Sequence, residues 1–528
     1  MNLLAYDVKT PDDKILISEN NGSDILYFDS IKKFFEHITE YNEAKQAMTC
    51  ITWNLDTAVA PILKLLGKNR CKDLNKKKKC FYKPYSIFYI PGKVFSVNAV
   101  TSGSNRFSLY GIEQYYQYGD VGHDIKTVLA MGNKIIDALK IMKLANGKKL
   151  TSPIAIYEEQ VMSHLNLPHV TDMPKHAALS SWICSGRLWI DAMKLGYWEN
   201  TYDYDLTSAF PVIARNLIDI RHCDWYHSDQ YQKQAAYGYC RGIVDINHDI
   251  AISPITHVDK DAPDENLCMP IGSWETYLTK IEIDFIERWG IGRFEIIDGW
   301  WAVPRKVTRP LQVIIDRMLA YKSSENELVK RISKGISVGI YGKFGEQYVA
   351  NRKETFGKYF NSCYFAEIST RVRLKVADFI YRHDLEDSVL HISVDGVLSD
   401  KSVELTEKDI RAGWKLSGQN PALIISPGQL FTGGKHPKGL LLPDVLKLIE
   451  EHPQSGYYEK MIDRRVTLAD AVAYGTLEDI GNMKPMHTSI DLFKAKHGRK
   501  FRELPRTGQQ LLKKKYDSSP IKIMEDVD

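Results

Sequence analysis

The sequence of 528 residues contains no C-x-x-C pair, no internal repeat and no low-complexity tract. It also has no uninterrupted apolar run of about 18 residues, which excludes a membrane-spanning helix. Its first residues, Met1-Asn2-Leu3-Leu4-Ala5-Tyr6-Asp7, lack a basic stretch and carry a carboxylate at position 7, so no secretory leader is expected. Eight cysteines are present, and the nearest pair, Cys71 and Cys80, is too widely spaced for a zinc knuckle. A chain of this size does not need disulfides, so the thiols read as reduced and the protein as intracellular. Neither sign of charge dominates: 70 Lys and Arg face 66 Asp and Glu, for a net charge of +4. That balance neither requires nor excludes nucleic acid.

What is present is ordinary globular composition, with 44% hydrophobic and 26% charged residues. The length suggests roughly three to four domains. Residues 2–8, 25–29 and 48–53 read as strands, and 31–40 (capped by Asp29-Ser30) and 56–66 as helices, a pattern of α/β type. The basic run Lys76 to Lys79 reads as an exposed loop. Strands are expected at 85–91 and 94–100, and helices at 123–144 and 156–165. Pro168 and Pro174 bracket a boundary near 170–178. Beyond it, strands are expected at 201–206, 238–246, 293–302, 387–394 and 421–426. Helices are expected at 274–289, 308–332 and 365–383, and the chain from about 440 reads as helical with breaks. Charge is unevenly spread. From Lys494 to Lys515 nine cations face the single Glu503, so this stretch carries +8 and the remainder −4. Such a stretch is either a solvated tail or a surface that tracks phosphates.

Three short motifs carry the chemistry. In Tyr202-Asp203-Tyr204-Asp205-Leu206-Thr207-Ser208-Ala209-Phe210-Pro211, a strand ends on a carboxylate and a turn follows. A carboxylate beside exposed backbone carbonyls suits a hard cation, although such an Asp also serves simply as a helix cap. Lys322, Lys330 and Lys334, spaced by eight and four, fall near one face of a helix that continues to Tyr341-Gly342-Lys343-Phe344. Three ammonium groups on one face suit a triphosphate, or form a plain solvated face with Glu325 and Glu327 as partners. In Val389-Leu390-His391-Ile392-Ser393-Val394-Asp395-Gly396-Val397-Leu398, Asp-Gly between apolar runs signals a hairpin whose tip presents Asp395.

Taken in order, the three resemble motifs A, B and C of the family B DNA polymerases. Motif A, Asp-x-x-Ser-x-Tyr-Pro, is matched at Asp205, Ser208 and Pro211, with Phe210 in place of Tyr. Motif B, Lys-x-x-x-Asn-Ser-x-Tyr-Gly, is matched at Lys334, Tyr341 and Gly342, with Val338 and Gly339 replacing Asn and Ser. Motif C, Asp-Thr-Asp-Ser, is matched at Asp395, with Ser393 at the first Asp. Lys322 and Lys330 fall where the protein-primed branch of phages and plasmids places further triphosphate-binding lysines. Gly413-Trp414-Lys415-Leu416 is similar to the strand after motif C. The likeness spans roughly residues 180–435. The family's Lys-x-Tyr motif would fall near Gly428-Gln429-Leu430, without its lysine. Its Tyr-x-Gly-Gly motif is poorly matched at Ile183-Cys184-Ser185-Gly186.

The resemblance implies an α+β multidomain chain. An RNase H-like exonuclease-type domain (1–175) would precede a right-hand polymerase: palm (176–304 and 346–438), fingers (305–345), and thumb with a basic C-terminal segment (439–528). It implies transfer of dNTPs to a primer 3′-hydroxyl by two Mg2+ (or Mn2+) ions held by Asp205, Asp395 and the Leu206 carbonyl. Lys322, Lys330 and Lys334 would bind the triphosphate, Tyr341 would pack on the nascent pair, and the Phe210 ring would exclude a 2′-hydroxyl. Lys343, Lys494, Arg499, Lys500, Lys513 and Lys514 are the candidates for contact with a DNA primer-template. Asp7 and Asp56 (in Asn54-Leu55-Asp56) stand as vestiges of an exonuclease site, because Lys9 replaces its second carboxylate and a cation there repels metal. Weak or absent proofreading is therefore expected, although Glu158 or Glu159 would be placed to compensate. Motifs B and C lie 61 residues apart, leaving little room for a long hairpin insertion between them. The implied setting is the interior of a host cell, as a monomer with no membrane, with a terminal protein or other replication proteins as further partners. Protein, RNA and de novo priming all stay open. Two other readings compete: a catalytically degraded, polymerase-like nucleic-acid-binding protein, and a nuclease acting through the N-terminal domain.

Overall fold

The computed structural model describes residues 2–5, 7–9, 15–19, 24–44, 48–100, 106–116, 125–145, 150–259, 266–350, 353–434, 437–474, 477–492 and 498–524. The protein is α+β and multidomain, and two compact units are distinguished. One comprises Met1–Asn166, Arg317–Gly339 and Met461–Met486; the other comprises Leu167–Asp316, Ile340–Lys460 and His487–Asp528.

The first unit is built on a six-stranded sheet in the order Asn2–Ala5, Met48–Thr52, Arg106–Gly111, Val94–Ala99, Tyr85–Ile90, Lys79–Tyr82. The first three strands are parallel and the rest form an antiparallel meander. The helix Leu55–Leu66 starts where Asn54 Oδ1 accepts the Thr57 amide, and it buries Leu55, Val59, Ile62, Leu63 and Leu66 on one stripe. Phe34, Phe35 and Ile38, from the helix Ile31–Ala44, fill the same core with Tyr89, Phe95 and Val97. Val466, Leu468, Ala471 and Ile480 join it from far along the chain. The basic run is not a loop. Lys76 and Lys77 end the helix Lys68–Lys77, and Lys79 opens a strand. Cys71 and Leu74, three apart, anchor that helix while its lysines stay in water.

Two larger sheets lie in the second unit. One runs in the order Ile190–Ala192, Val389–Ser393, Gly396–Ser399, Lys194–Leu206, Trp414–Ser426, Gln429–Phe431, and Tyr516–Ser519 also pairs with Lys194–Leu206. The other runs Cys223–His227, Gly292–Pro304, Tyr237–Ile246, Ile271–Thr279, Lys522–Met524. The expected helix at 274–289 begins only at Lys280. Thr279 and Glu282 close a capping box there, and the residues before it form the strand Ile271–Thr279. The expected helix at 308–332 is two helices, Gln312–Tyr321 and Glu327–Phe344. The break is set by Asn326, whose Oδ1 accepts the amides of Leu328 and Val329. The C-terminal part, expected to be helical with breaks, mixes helices (Leu442–Glu451, Leu468–Tyr474, Gly508–Lys513) with about as much strand. Tyr457–Arg465 and Met483–Asp491 pair, and side chains along the former tend to alternate between inside and outside. The segment between the Glu327–Phe344 and Ser362–Arg382 helices holds one short hairpin, Gln347–Ala350 with Lys353–Phe356.

No disulfide joins any of the eight cysteines, and all are buried. Burial pushes the Cys71 and Cys223 thiols up to about 11 and Cys80 to about 12, so they are inert at neutral pH. No described helix is long and apolar enough to cross a membrane.

A buried arginine ties the second unit together. Arg373, fully buried on the Ser362–Arg382 helix, donates Nε to the Pro254 carbonyl at 2.8 Å, Nη1 to the Arg187 carbonyl and Nη2 to Glu282. Removing it strands the buried Glu282 carboxylate without its cation. Arg373→Ala is expected to cost about 3–5 kcal/mol of stability. Urea unfolding of the full chain checks this, and a loss below about 1 kcal/mol would show that the pair is not structural.

Candidate functional site

The strand Lys194–Leu206 is central in its sheet, and its last residues meet a strand on each side. Asp205 lies opposite Gly396 on one neighbour and Lys415 on the other. The Leu206 amide donates to the Asp395 carbonyl at 2.9 Å, and the Thr207 amide to the Gly413 carbonyl at 2.8 Å. The backbone therefore sets Asp205 and Asp395 on adjacent strand ends, as the sequence leads one to expect. The Asp205 carboxylate faces the Lys415 ammonium at 3.5 Å.

The hairpin tip differs from the expected Asp-Gly turn. Its two central residues are Val394 and Asp395, and Gly396 already pairs with Ser393. The Asp395 amide donates to the Ser393 carbonyl at 2.6 Å, closing a three-residue turn around Val394 at φ 56°. A β-branched residue in that region is strained. It is held there because the Val394 amide donates to the Trp189 carbonyl at 2.7 Å, while Leu206 fixes Asp395 from the other side. Ser393, at the position of the missing carboxylate, has its hydroxyl 3.1 Å from His391 Nδ1. His391 Nε2 lies 2.8 Å from the Pro427 carbonyl, an acceptor only, so Nε2 carries the proton and Nδ1 accepts from Ser393.

After Asp205 the chain turns through Ser208, at φ 56°, into the short helix Ala209–Arg215. This turn places Phe210 against Tyr341, with ring centroids 4.7 Å apart. Tyr341 in turn stacks on Phe365 at 4.7 Å and 29°. The ladder continues through Trp182 to Phe360 and Phe356. Burial pushes the Tyr341 hydroxyl well up, so it stays neutral. Lys330, Lys334 and Tyr341 recur at four- and seven-residue spacings, on one face of the helix Glu327–Phe344. Lys330 pairs with Glu327 at 2.6 Å. Lys322 is not on that helix; it lies in the turn just after Gln312–Tyr321, where burial first and Lys334 second lower its pKa. Lys322 is half-buried and Lys334 is exposed, and an anion between two such like charges would relieve their repulsion.

The remaining candidates divide. Asp56 accepts from the Tyr89 hydroxyl at 2.5 Å and the Gly92 amide at 2.6 Å, which makes it a brace for a turn. Asp7 lies on the strand Asp7–Lys9, but the side chains of Asp7 and Lys9 fall outside the described residues, as does Lys494. Arg499 is a correction. It is buried, donating Nε to Ser518 at 2.7 Å and Nη2 to the Ala251 carbonyl at 2.9 Å, so it fastens the C-terminal strands and does not face DNA. Lys343 is largely buried and pairs with Glu346 at 3.0 Å, and Lys514 pairs with Glu503. Lys500 and Lys513 are exposed. Sequence reasoning missed Val394, the Phe365–Trp182 ladder and Glu113. Glu113 accepts from Asn54 and lies 3.8 Å from Arg465, and neither partner is near it in sequence.

A family model described as DNA polymerase type B, organellar and viral, matches residues 124–367. The match spans a little under half of the chain. A probable DNA polymerase of Podospora anserina is 24% identical over 152 residues, which are 28% of this chain and 12% of that protein. The chain thus matches only about an eighth of that relative's length. Among solved structures, orthorhombic Phi29 DNA polymerase superposes with a TM-score of 0.59 at 11% identity, covering 93% of this chain and 100% of that one. Phi29 DNA polymerase in complex with primer-template DNA and incoming nucleotide gives the same score and identity, covering 93% and 99%. At these identities the likeness shows the fold alone, which is similar to that of Phi29 DNA polymerase.

Gly413 sits at φ 100°, and a Cβ there would come within 3.2 Å of the Thr207 carbonyl, in the loop that follows Asp205. Gly413→Ala is expected to cost about 1–2 kcal/mol. Urea unfolding reads it out, and an unchanged midpoint would show that this close approach does not constrain the site.

Proposed function

We propose that the protein is a template-directed DNA polymerase that adds dNTPs to a primer 3′-hydroxyl. The observation that carries this reading is the pairing of the two strand ends that bear Asp205 and Asp395, locked by the Leu206 amide on the Asp395 carbonyl. The donor set suits a pair of Mg2+ or Mn2+ ions. It offers two carboxylates and the Leu206 carbonyl, all hard oxygen donors, and a neighbouring ammonium already balances Asp205. Among the described residues no group of three His, Cys, Asp or Glu forms a protein-only metal cage. This fits ions that complete their shell with substrate phosphates and water. When bound, such ions would lower the pKa of the primer hydroxyl and stabilise the leaving pyrophosphate.

The chain's own residues supply the rest. Asp205 and Asp395 hold the carboxylate charge at fixed spacing. Lys322, Lys330 and Lys334 neutralise the triphosphate. Phe210, wedged against Tyr341, presents a ring that cannot yield to a 2′-hydroxyl, which favours deoxyribonucleotides. Lys500 and Lys513, exposed in the C-terminal segment, track the DNA backbone. In the first unit, Asp56 is committed to Tyr89 and Gly92, which supports weak or absent proofreading.

Primer extension by purified full-length protein with Mg2+ and dNTPs tests the reading. Asp205→Asn and Asp395→Asn should each lower extension by about a thousandfold or more. Absence of activity in the unmodified protein, with salt-sensitive DNA binding retained, would favour the degraded, binding-only alternative instead. The Lys415 ammonium must also yield when a divalent ion reaches Asp205. Lys415→Met should therefore tighten Mn2+ binding by about two- to fivefold, the worth of an exposed pair. Calorimetric titration of the full chain measures this, and unchanged or weaker binding would remove Lys415 from the site.

A further inference from the structure

Away from Asp205 and Asp395, a cavity of about 570 Å³ opens between three helices of the second unit: Ala209–Arg215, Lys280–Trp289 and Ser362–Arg382. Its size is that of a small-molecule site. The floor is apolar, formed by Ile213, Leu217, Phe285 and Leu374. The rim is charged, and the two signs are not matched.

Both acids on the rim are already engaged. Asp378 receives Arg288 at 3.0 Å and Arg382 at 2.8 Å. Asp284 receives Lys280 at 2.7 Å and the Tyr231 hydroxyl. Arg371 is held by Glu367 at 2.8 Å. Lys375 is left over: among the described residues no carboxylate lies within 4.0 Å of its ammonium. It is half-buried, and burial lowers its pKa, with Asp378 offsetting this only in part. An unpaired, partly desolvated ammonium above an apolar floor is unfavourable alone and favourable beside an anion.

We propose that this cavity binds a small organic anion with a flat apolar body, its charge on Lys375 and its body on Ile213, Leu217 and Phe285. The site does not rest on the polymerase reading, since none of its walls is a proposed metal or triphosphate ligand. Its position is nonetheless close in sequence to both carboxylates. The first helix begins four residues after Asp205, and the third leads directly into the hairpin that carries Asp395.

The test uses two fluorescent probes on the full-length protein. 8-anilinonaphthalene-1-sulfonate carries the charge, and N-phenyl-1-naphthylamine has the same rings without it. The sulfonate should bind one saturable site. Lys375→Met, and equally Lys375→Gln, should weaken it about tenfold while leaving the neutral probe unchanged. Ala236→Trp, which fills the cavity from its wall, should weaken both probes. Thermal unfolding confirms that the variants remain folded. Sulfonate binding that survives both Lys375 substitutions, or binding of both probes that survives Ala236→Trp, overturns the proposal.

Discussion

The site depends on one backbone register. The strand ending at Leu206 is paired on both sides, with Asp205 opposite Gly396 and Lys415. A slip of one residue would turn every side chain of that strand to the other face and carry Asp205 away from the Asp395 side. Two devices prevent it. The Leu206 amide is bonded to the Asp395 carbonyl, so the two carboxylate-bearing residues are joined through the main chain. The tight turn around Val394 is held from the opposite side by Trp189, so the tip cannot relax toward an ordinary hairpin. Strain at Val394 is thus sustained by hydrogen bonds on its two flanks, in the manner expected where geometry matters more than local stability.

Below that sheet the second unit is held by buried charge. Arg373 reaches Pro254, Arg187 and Glu282, and Glu282 caps its own helix through Thr279. One guanidinium therefore fixes the long helix before the Asp395 hairpin, the loop after Gly186 and the start of the Lys280 helix. Such pairing adds less to net stability than well-packed apolar residues would, but it permits only one arrangement of its partners. An apolar substitute would tolerate small rotations of the Ser362–Arg382 helix. The fixed fork of Arg373 does not.

The sequence was most legible where a residue's role is local. Asp205 at a strand end, Asp395 at a hairpin tip and a helix over 365–383 follow from short-range pattern; the strand end and the tip are observed, and the helix runs Ser362–Arg382. Reading failed where long-range pairing decided the outcome. Residues 274–279 carry a helix-like pattern, yet they pair with Tyr239–Val244 as a strand, and the helix waits for the Thr279 cap. Part of the C-terminal region is strand rather than helix, in one case because a partner distant in sequence receives it, as Lys194 and Leu195 receive Asp517 and Tyr516. Arg499 shows the same limit for charge. Composition counts it among the free cations of a basic stretch, whereas the fold buries it between Ser518 and the Ala251 carbonyl.

That correction changes what the basic segment can do. With Arg499 inside and Lys514 tied to Glu503, the +8 stretch presents fewer unpaired cations than its count suggests. Among the described residues of the stretch, Lys500, Arg502, Arg506, Lys513 and Lys515 are exposed, on separate short elements rather than along one helix. Each phosphate neutralised by a lysine or arginine releases about one counterion, so the steepness of salt dependence follows the number of free cations and not the net charge. The near-neutral total of +4 is therefore a poor guide in both directions. It hides a basic segment, and the segment in turn hides the arginine that fastens it in place.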